Sequence, residues 1–276
     1  MRIEDVTFAL LILLLPAPSA QERGAAPSSL ITAGEKEAFL LKADVVDEGD
    51  SSAGPTKFWR VTLSDGTRKH DAAIEKSTSR DPSQRDYRLN VAAYELDKAL
   101  ELNFVVPSVA REMKGQPAAF TWWVDDVLMN EQGRRGQKIE PPDPDSWNKQ
   151  MQAVRVFDEL IGNAYRDISP ALYTSSIWDN LLITKEWRIW LVDHTRAFGT
   201  SRQLGNPQSL AQCDRRLLGK LRTLTRDLLK QKLEKYLSPD QLDALEARRD
   251  LLVKHFAERI ASQGEAAVLY DLPPRR

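Results

Sequence analysis

The chain has 276 residues, in which 39 Lys and Arg stand against 40 Asp and Glu. A formal net charge of −1 gives no general field for nucleic acid or for an anionic membrane surface. The single cysteine, Cys213, excludes a disulfide framework and a cysteine zinc cluster, so the fold has to be held by its core.

Val6 to Leu15 is an apolar run too short to span a bilayer, followed by the small-residue stretch Pro16-Ala17-Pro18-Ser19-Ala20-Gln21. Residues 1–20 read as a signal peptide, with an uncleaved N-terminal anchor as the alternative. Either reading exports the body, and the expected location is periplasmic or secreted. Residues 21–35, which open on a Gly/Ala/Pro/Ser-rich stretch, read as a flexible leader.

Phe39–Asp47 and Phe58–Leu63 alternate as strands, with a loop from Glu48 to Pro55 between them. Asp65-Gly66 marks a tight hairpin turn, and Ala72–Lys76 is the next strand. Ser77 to Arg85 is polar and loop-like. Tyr87–Leu100 reads as a helix, with Val91, Tyr94 and Leu96 between charged positions. Phe104–Val109 and Ala118–Val124 form strands around a Lys114-Gly115 turn, and Trp122 and Trp123 read as buried rings rather than as ligand platforms. Gln132 to Pro144 is expected to be an exposed loop, after which Ser146 can cap a helix over Trp147–Ile161.

Asn180-Leu181-Leu182-Ile183-Thr184 and Trp190-Leu191-Val192 form two bulky runs joined through a Lys185-Glu186 turn. The second run ends on Asp193-His194-Thr195-Arg196. A carboxylate at the end of a buried strand can hold a hard cation, and Asn180 falls near its antiparallel partner. His194 reads as a hydrogen-bonded neighbour of Asp193 rather than a metal ligand. Beyond the hairpin, Leu210, Leu217, Leu221 and Leu224 recur at helical spacing, and Cys213 among them reads as buried rather than reactive. Ser238-Pro239-Asp240-Gln241 is a helix start, and the helix ends at Gly264.

The stretch DNLLITKEWRIWLVDHTRAFG resembles the metal-binding hairpin of the atypical kinase superfamily, which includes phosphoinositide 3/4-kinases, HipA-type bacterial kinases and secretory-pathway kinases. The resemblance implies an α+β, two-lobed protein-kinase-like fold: a small β-rich N-lobe over residues 36–130, and a mainly helical C-lobe over 131–276 that carries the hairpin 180–193. It implies ATP with Mg or Mn as cofactor, Asn180 and Asp193 as metal ligands and Lys76 as the phosphate-binding residue. The partners would be a nucleotide and an unknown acceptor or protein, without nucleic acid and without a membrane span in the mature chain.

Three positions depart from the family pattern. A V-A-I-K motif laid over Ala72-Ala73-Ile74-Glu75-Lys76 puts Glu75 where Lys belongs. Asn90 stands where the helix Glu is expected, two positions before Ala92-Ala93-Tyr94. In the catalytic loop, Tyr165 takes the place of the proton-accepting Asp. Asp167, or Asp179 beside Asn180, is then the candidate base. Three functions follow: an exported metal-dependent phosphotransferase with a degraded catalytic loop, a catalytically silent kinase-fold binding module of the cell envelope in which no base remains, or a structural envelope protein in which Asp193 caps a turn.

Overall fold

A computed structural model describes residues 31–51, 58–76, 86–163, 180–273 and 275. The first element is a helix, α1 (Ala33–Lys42), where a strand was expected to begin at Phe39. Thr32 closes a capping box with Glu35: the Thr32 hydroxyl accepts from Glu35 N at 3.2 Å, and the Glu35 carboxylate accepts from Thr32 N at 2.8 Å. Phe39 and Leu40 are both buried. Adjacent residues can share a helix face, whereas a strand sends them to opposite sides.

Five strands then form an antiparallel sheet in the order β1-β2-β3-β5-β4: β1 (Asp44–Ser51), β2 (Trp59–Ser64), β3 (Lys69–Lys76), β4 (Ser108–Met113) and β5 (Gln116–Trp122). The β2–β3 turn forms as the sequence predicts. Asp65 Oδ1 accepts from Thr67 N and Arg68 N at 2.9 and 2.7 Å, and Gly66 takes φ +88°, which a side chain would resist. The strand expected at Phe104 starts later, at Ser108. Before it, residues 104–106 run beside a different sheet.

Helix α2 (Arg88–Leu100) connects β3 to β4. The sheet is therefore covered on both sides. One face carries Ala72, Ile74, Ala118, Phe120 and Trp122, packed with Phe39 and Leu40 of α1 in the smaller of two hydrophobic clusters. The opposite face presents Ala119 to α2, whose buried residues belong to the larger cluster. Helix α2 thus ties the β-rich part to the helical part.

The second sheet has the order β6-β7-β8: β6 (Val127–Asn130), β7 (Leu181–Thr184) and β8 (Ile189–Leu191). Its β8 edge is extended by the stretch before β4, with Leu191 N donating to Phe104 O at 2.8 Å and Val106 N to Leu191 O at 3.3 Å. The expected loop after β6 contains a short helix, α3 (Glu131–Gly136), because Asn130 caps it through Gly133 N at 2.8 Å. The buried Glu131 carboxylate pairs with Arg134 and Arg135. Helix α4 (Pro144–Ile161) starts three residues before the expected position. Asp143 is its cap, and Ser146 only supplies the N–H that Asp143 accepts, at 3.0 Å.

The remainder is mainly helical: β9 (Cys213–Asp214), α5 (Arg215–Thr223), α6 (Arg226–Leu233), α7 (Pro239–Gln263), α8 (Glu265–Val268) and β10 (Leu269–Tyr270). Leu210 to Leu224, expected as one helical run, is broken by the β9–β10 pairing, and a new helix starts where Asp214 caps Leu217 N at 2.9 Å. Cys213 is buried, and burial raises its thiol pKa well above the usual value. Ser238 and Gln241 form the expected capping box of α7.

One residue of α7 organises the floor of the helical part. Arg248 is 1% exposed and donates to Leu160 O at 2.9 Å, to Gly199 O at 3.0 Å and to Ser201 O. A Cβ on Gly162 would meet the guanidinium at 3.1 Å, and Gly162 also needs φ +65° to end α4. Among the described residues no helix is long and apolar enough to cross a membrane.

Candidate functional site

The 181–191 hairpin sets out the site. Leu181 pairs with Leu191 and Ile183 with Ile189, and all four point into the larger core. The alternate face carries Leu182 opposite Trp190. One step beyond the ladder, Val192 N donates to Asn180 O at 3.0 Å. Asn180 is therefore the backbone partner of Val192, one residue short of Asp193.

After Val192 the strand breaks. Asp193 has φ +51°, a left-handed conformation that is uncommon for a residue with a side chain. Its Oδ1 accepts from the Thr195 hydroxyl at 2.6 Å and from Thr195 N at 3.4 Å, closing a small side-chain turn. Asn180 and Asp193 both lie at the base of the hairpin. The candidate bases Asp167 and Asp179 lie outside the described residues.

The partner of this turn comes from α2. Asn90 is 4% exposed, and its Oδ1 accepts from His194 N at 2.7 Å while its Nδ2 donates to the Glu75 carboxylate at 2.5 Å. One buried amide thus links β3, α2 and the residue after Asp193. An amide suits this position because it offers a donor and an acceptor together. His194 itself is 1% exposed, with its ring edge-on to Phe157 at 6.4 Å.

The register of β3 decides where its two charged residues go. Glu75 is opposite Ala119, on the side facing α2, and Lys76 is opposite Ala118, on the side packed with α1. The Lys76 ammonium lies 5.3 Å over the Trp59 ring. The structure therefore brings Glu75, Asn90 and the Asp193 turn together and sends Lys76 to the other side of the sheet. Arg60 and Asp71 also share the Glu75 side, as a 2.6 Å ion pair, and the Arg60 guanidinium stacks 4.3 Å above Trp123. Trp122 is buried, stacked on His70 at 3.6 Å and edge-on to Phe39.

The donor set at the hairpin base is hard: a carboxylate oxygen and a side-chain amide. It fits the chemistry of Mg or Mn, although one Asp193 oxygen is already engaged by Thr195. The fit to a nucleotide's phosphates is poorer, because the β3 residue on this side is an acid. Among the described residues, no three His, Cys, Asp or Glu side chains gather as a metal-binding group. The sequence marked Glu75 and Asn90 as separate departures. It did not show that they bond to each other, nor that Asn90 reaches His194. The one available signal was that both fall at positions expected to touch.

The class defined by these features is a mixed α+β chain, with a five-stranded sheet and its helix set against a mainly helical part. An acid–amide contact lies where the two parts meet. No described protein family matches the sequence, and no curated protein is similar to it. Among solved structures it is similar to a Helicobacter pylori proinflammatory kinase, CtkA, with a TM-score of 0.49 and 10% identity, over 79% of this chain and 96% of that one. A likeness of that size transfers neither the activity nor the ligands of the kinase.

Proposed function

We propose that this chain is a kinase-fold binding module that does not transfer phosphoryl groups. The observation that carries the reading is the Glu75–Asn90 contact. In protein kinases the corresponding strand supplies a lysine to the phosphates, and a glutamate of the adjoining helix holds it. Here the strand offers the acid and the helix offers a neutral amide, so the cation is missing from both sides of the contact. Glu75 and Asp193 would each repel a triphosphate, and a bound metal would have to offset both. The amide, meanwhile, joins Glu75 to His194 N through one donor and its acceptor oxygen, which supports a structural link at this position.

The competing reading is a metal-dependent phosphotransferase. It rests on the hairpin base: a carboxylate at the end of a buried strand, one residue from the backbone partner of an Asn. Asn180 and Asp193 would hold the metal, and Asp167 or Asp179 would accept the proton. The metal would supply charge neutralisation of the phosphates. The chain's own part would be to orient the acceptor and receive its proton.

Thermal unfolding with 1 mM ATP and Mn²⁺ separates the two. A ligand present at about 100 times its Kd adds about 2.7 kcal/mol, which raises the Tm of a chain this size by several degrees. The silent reading expects no shift and no ADP formation. A saturable shift that disappears in Asp193→Ala, accompanied by turnover, would replace it with the phosphotransferase. The apolar run Val6–Leu15 and the small residues after it support export of the same chain. Recovery of the intact N-terminus on a cytosolic protein would reject that part.

A further inference from the structure

A pocket lies at the opposite end of the hairpin from Asn180. Its space, counting the part open to solvent, is about 900 Å³, and it is enclosed by α1, the Val124–Asp126 stretch after β5, the hairpin tip and residues 103–107. The walls are apolar and aromatic, with Val106, Val124 and the rings of Trp122 and Trp190. Such lining with a few convergent polar groups is typical of small-molecule sites.

The less exposed of the lining charges are cationic, Lys36 and Arg188. Lys36 is half-buried, with its ammonium 5.3 Å from the Trp122 ring and 5.8 Å from that of Trp190. Among the described residues it has no hydrogen-bonded or ion-paired partner for that charge. Burial, and next the Arg188 guanidinium, lower its pKa, while Asp125 acts in the other direction. Arg188 lines the same pocket, over Trp190 at 5.7 Å. Three acids line the pocket as well and are more exposed than Lys36: Asp125 is held by His70 Nε2 at 2.9 Å, Asp126 by Lys185 Nζ at 2.9 Å, and Glu186 is exposed.

We infer that this pocket binds a small apolar monocarboxylate, with its carboxylate between Lys36 and Arg188 and its flat or aliphatic body against Trp122 and Trp190. A single negative charge neutralises a half-buried ammonium that the protein leaves without an acid partner. The three lining carboxylates disfavour a polyanion. The aromatic walls disfavour a small hydrophilic anion. This inference rests on the tip pocket alone and does not depend on whether the hairpin base handles a nucleotide.

Calorimetric titration of the full chain with 2-naphthoate tests it, with 2-naphthamide and inorganic phosphate as comparison ligands. One saturable site for naphthoate is expected, with at least tenfold weaker binding of the amide and none of phosphate. Lys36→Met should weaken naphthoate at least tenfold with its melting temperature retained, while Lys114→Met, at an exposed lysine elsewhere, should not. The inference is overturned if naphthoate gives no saturable heat at millimolar concentration, if the amide binds equally well, or if phosphate binds as tightly as naphthoate. The amide and phosphate comparisons need only the wild-type protein, so a Lys36 variant that failed to fold would leave the test intact.

Discussion

The base and the tip of one hairpin carry opposite electrostatics. At the base, Asp193 follows β8 and Glu75 approaches from β3, and the group between them is the neutral amide of Asn90. At the tip, Lys36 and Arg188 share a pocket walled by indole rings, in which the lining acids are the more exposed groups. The difference shows that a similar strand frame can present an acidic, amide-linked junction at one end and a cationic, apolar recess at the other. Which end suits an anion is decided by a few side chains and not by the frame, so a function has to be read from the site and not from the fold.

The strongest test of this contrast uses pH. Asp97 of α2 is buried, and its Oδ1 accepts from Phe104 N at 3.0 Å, which fixes the stretch lining the tip pocket. Burial pushes its pKa up to about 7, against the backbone N–H groups of Phe104 and Val105, which favour the charged form. The folded state therefore holds a proton that the unfolded chain releases near its ordinary pKa of 3.8. Stability from this group is complete below about pH 4 and is lost as pH rises to 7. Three units correspond to about 4 kcal/mol as an upper bound. The urea midpoint should fall between pH 5 and pH 8, and Asp97→Asn should flatten the profile. A flat wild-type profile would show that the carboxylate is already charged in the folded protein.

Next in size is the link at the hairpin base. Asn90→Leu removes both hydrogen bonds and leaves His194 N, in a buried residue, without its acceptor. The expected loss is about 2–3 kcal/mol in urea unfolding. A loss below about 0.5 kcal/mol would mean that the amide bridges nothing of consequence. The paired change Glu75→Lys with Asn90→Glu reverses the polarity of the base. If the acid on β3 is what excludes a nucleotide, the variant should gain a melting shift of several degrees with ATP and Mn²⁺ that the wild type lacks. The same variant should leave naphthoate binding at the tip unchanged, because neither Glu75 nor Asn90 lines that pocket. The smallest effect belongs to Lys36→Met, within about 1 kcal/mol of the wild type in stability, since the ammonium it removes is half-buried and without an acid partner among the described residues.

Much of the frame was legible in the sequence. Helix α2 and the start of α7 announced themselves by periodicity and by the Ser238–Gln241 box, and the hairpin by its two bulky runs. The errors have local causes. Alternation points to a strand at Phe39 and Leu40, but the Thr32–Glu35 capping box starts a helix that runs through them. Ser146 suits a cap before Trp147, but Pro144 at the first helical position sets the start earlier and makes Asp143 the cap. The one-residue offset between Glu75 and Lys76 was visible, but which of them faces α2 depends on pairing with β5, and pairing is not a local property. The tip pocket was beyond reach for the same reason: Lys36, Trp122 and Trp190 are brought together from three distant segments.

Arg248 has a consequence for how the protein is made. It bonds Leu160 O across 88 positions and Gly199 O and Ser201 O across 49 and 47. A ribosome delivers the chain from the N-terminus, so the end of α4 and the strand exit at 199–201 wait for a residue made much later. Until α7 emerges, the Leu160, Gly199 and Ser201 carbonyls lack this guanidinium, and the hydrophobic residues around them stay exposed to other chains. The β-rich part has no such debt to the C-terminus in its own sheet, since β1 to β5 pair only with one another. Nascent chains stalled before residue 248 should therefore show a protease-resistant sheet beside a helical part that is still cleavable.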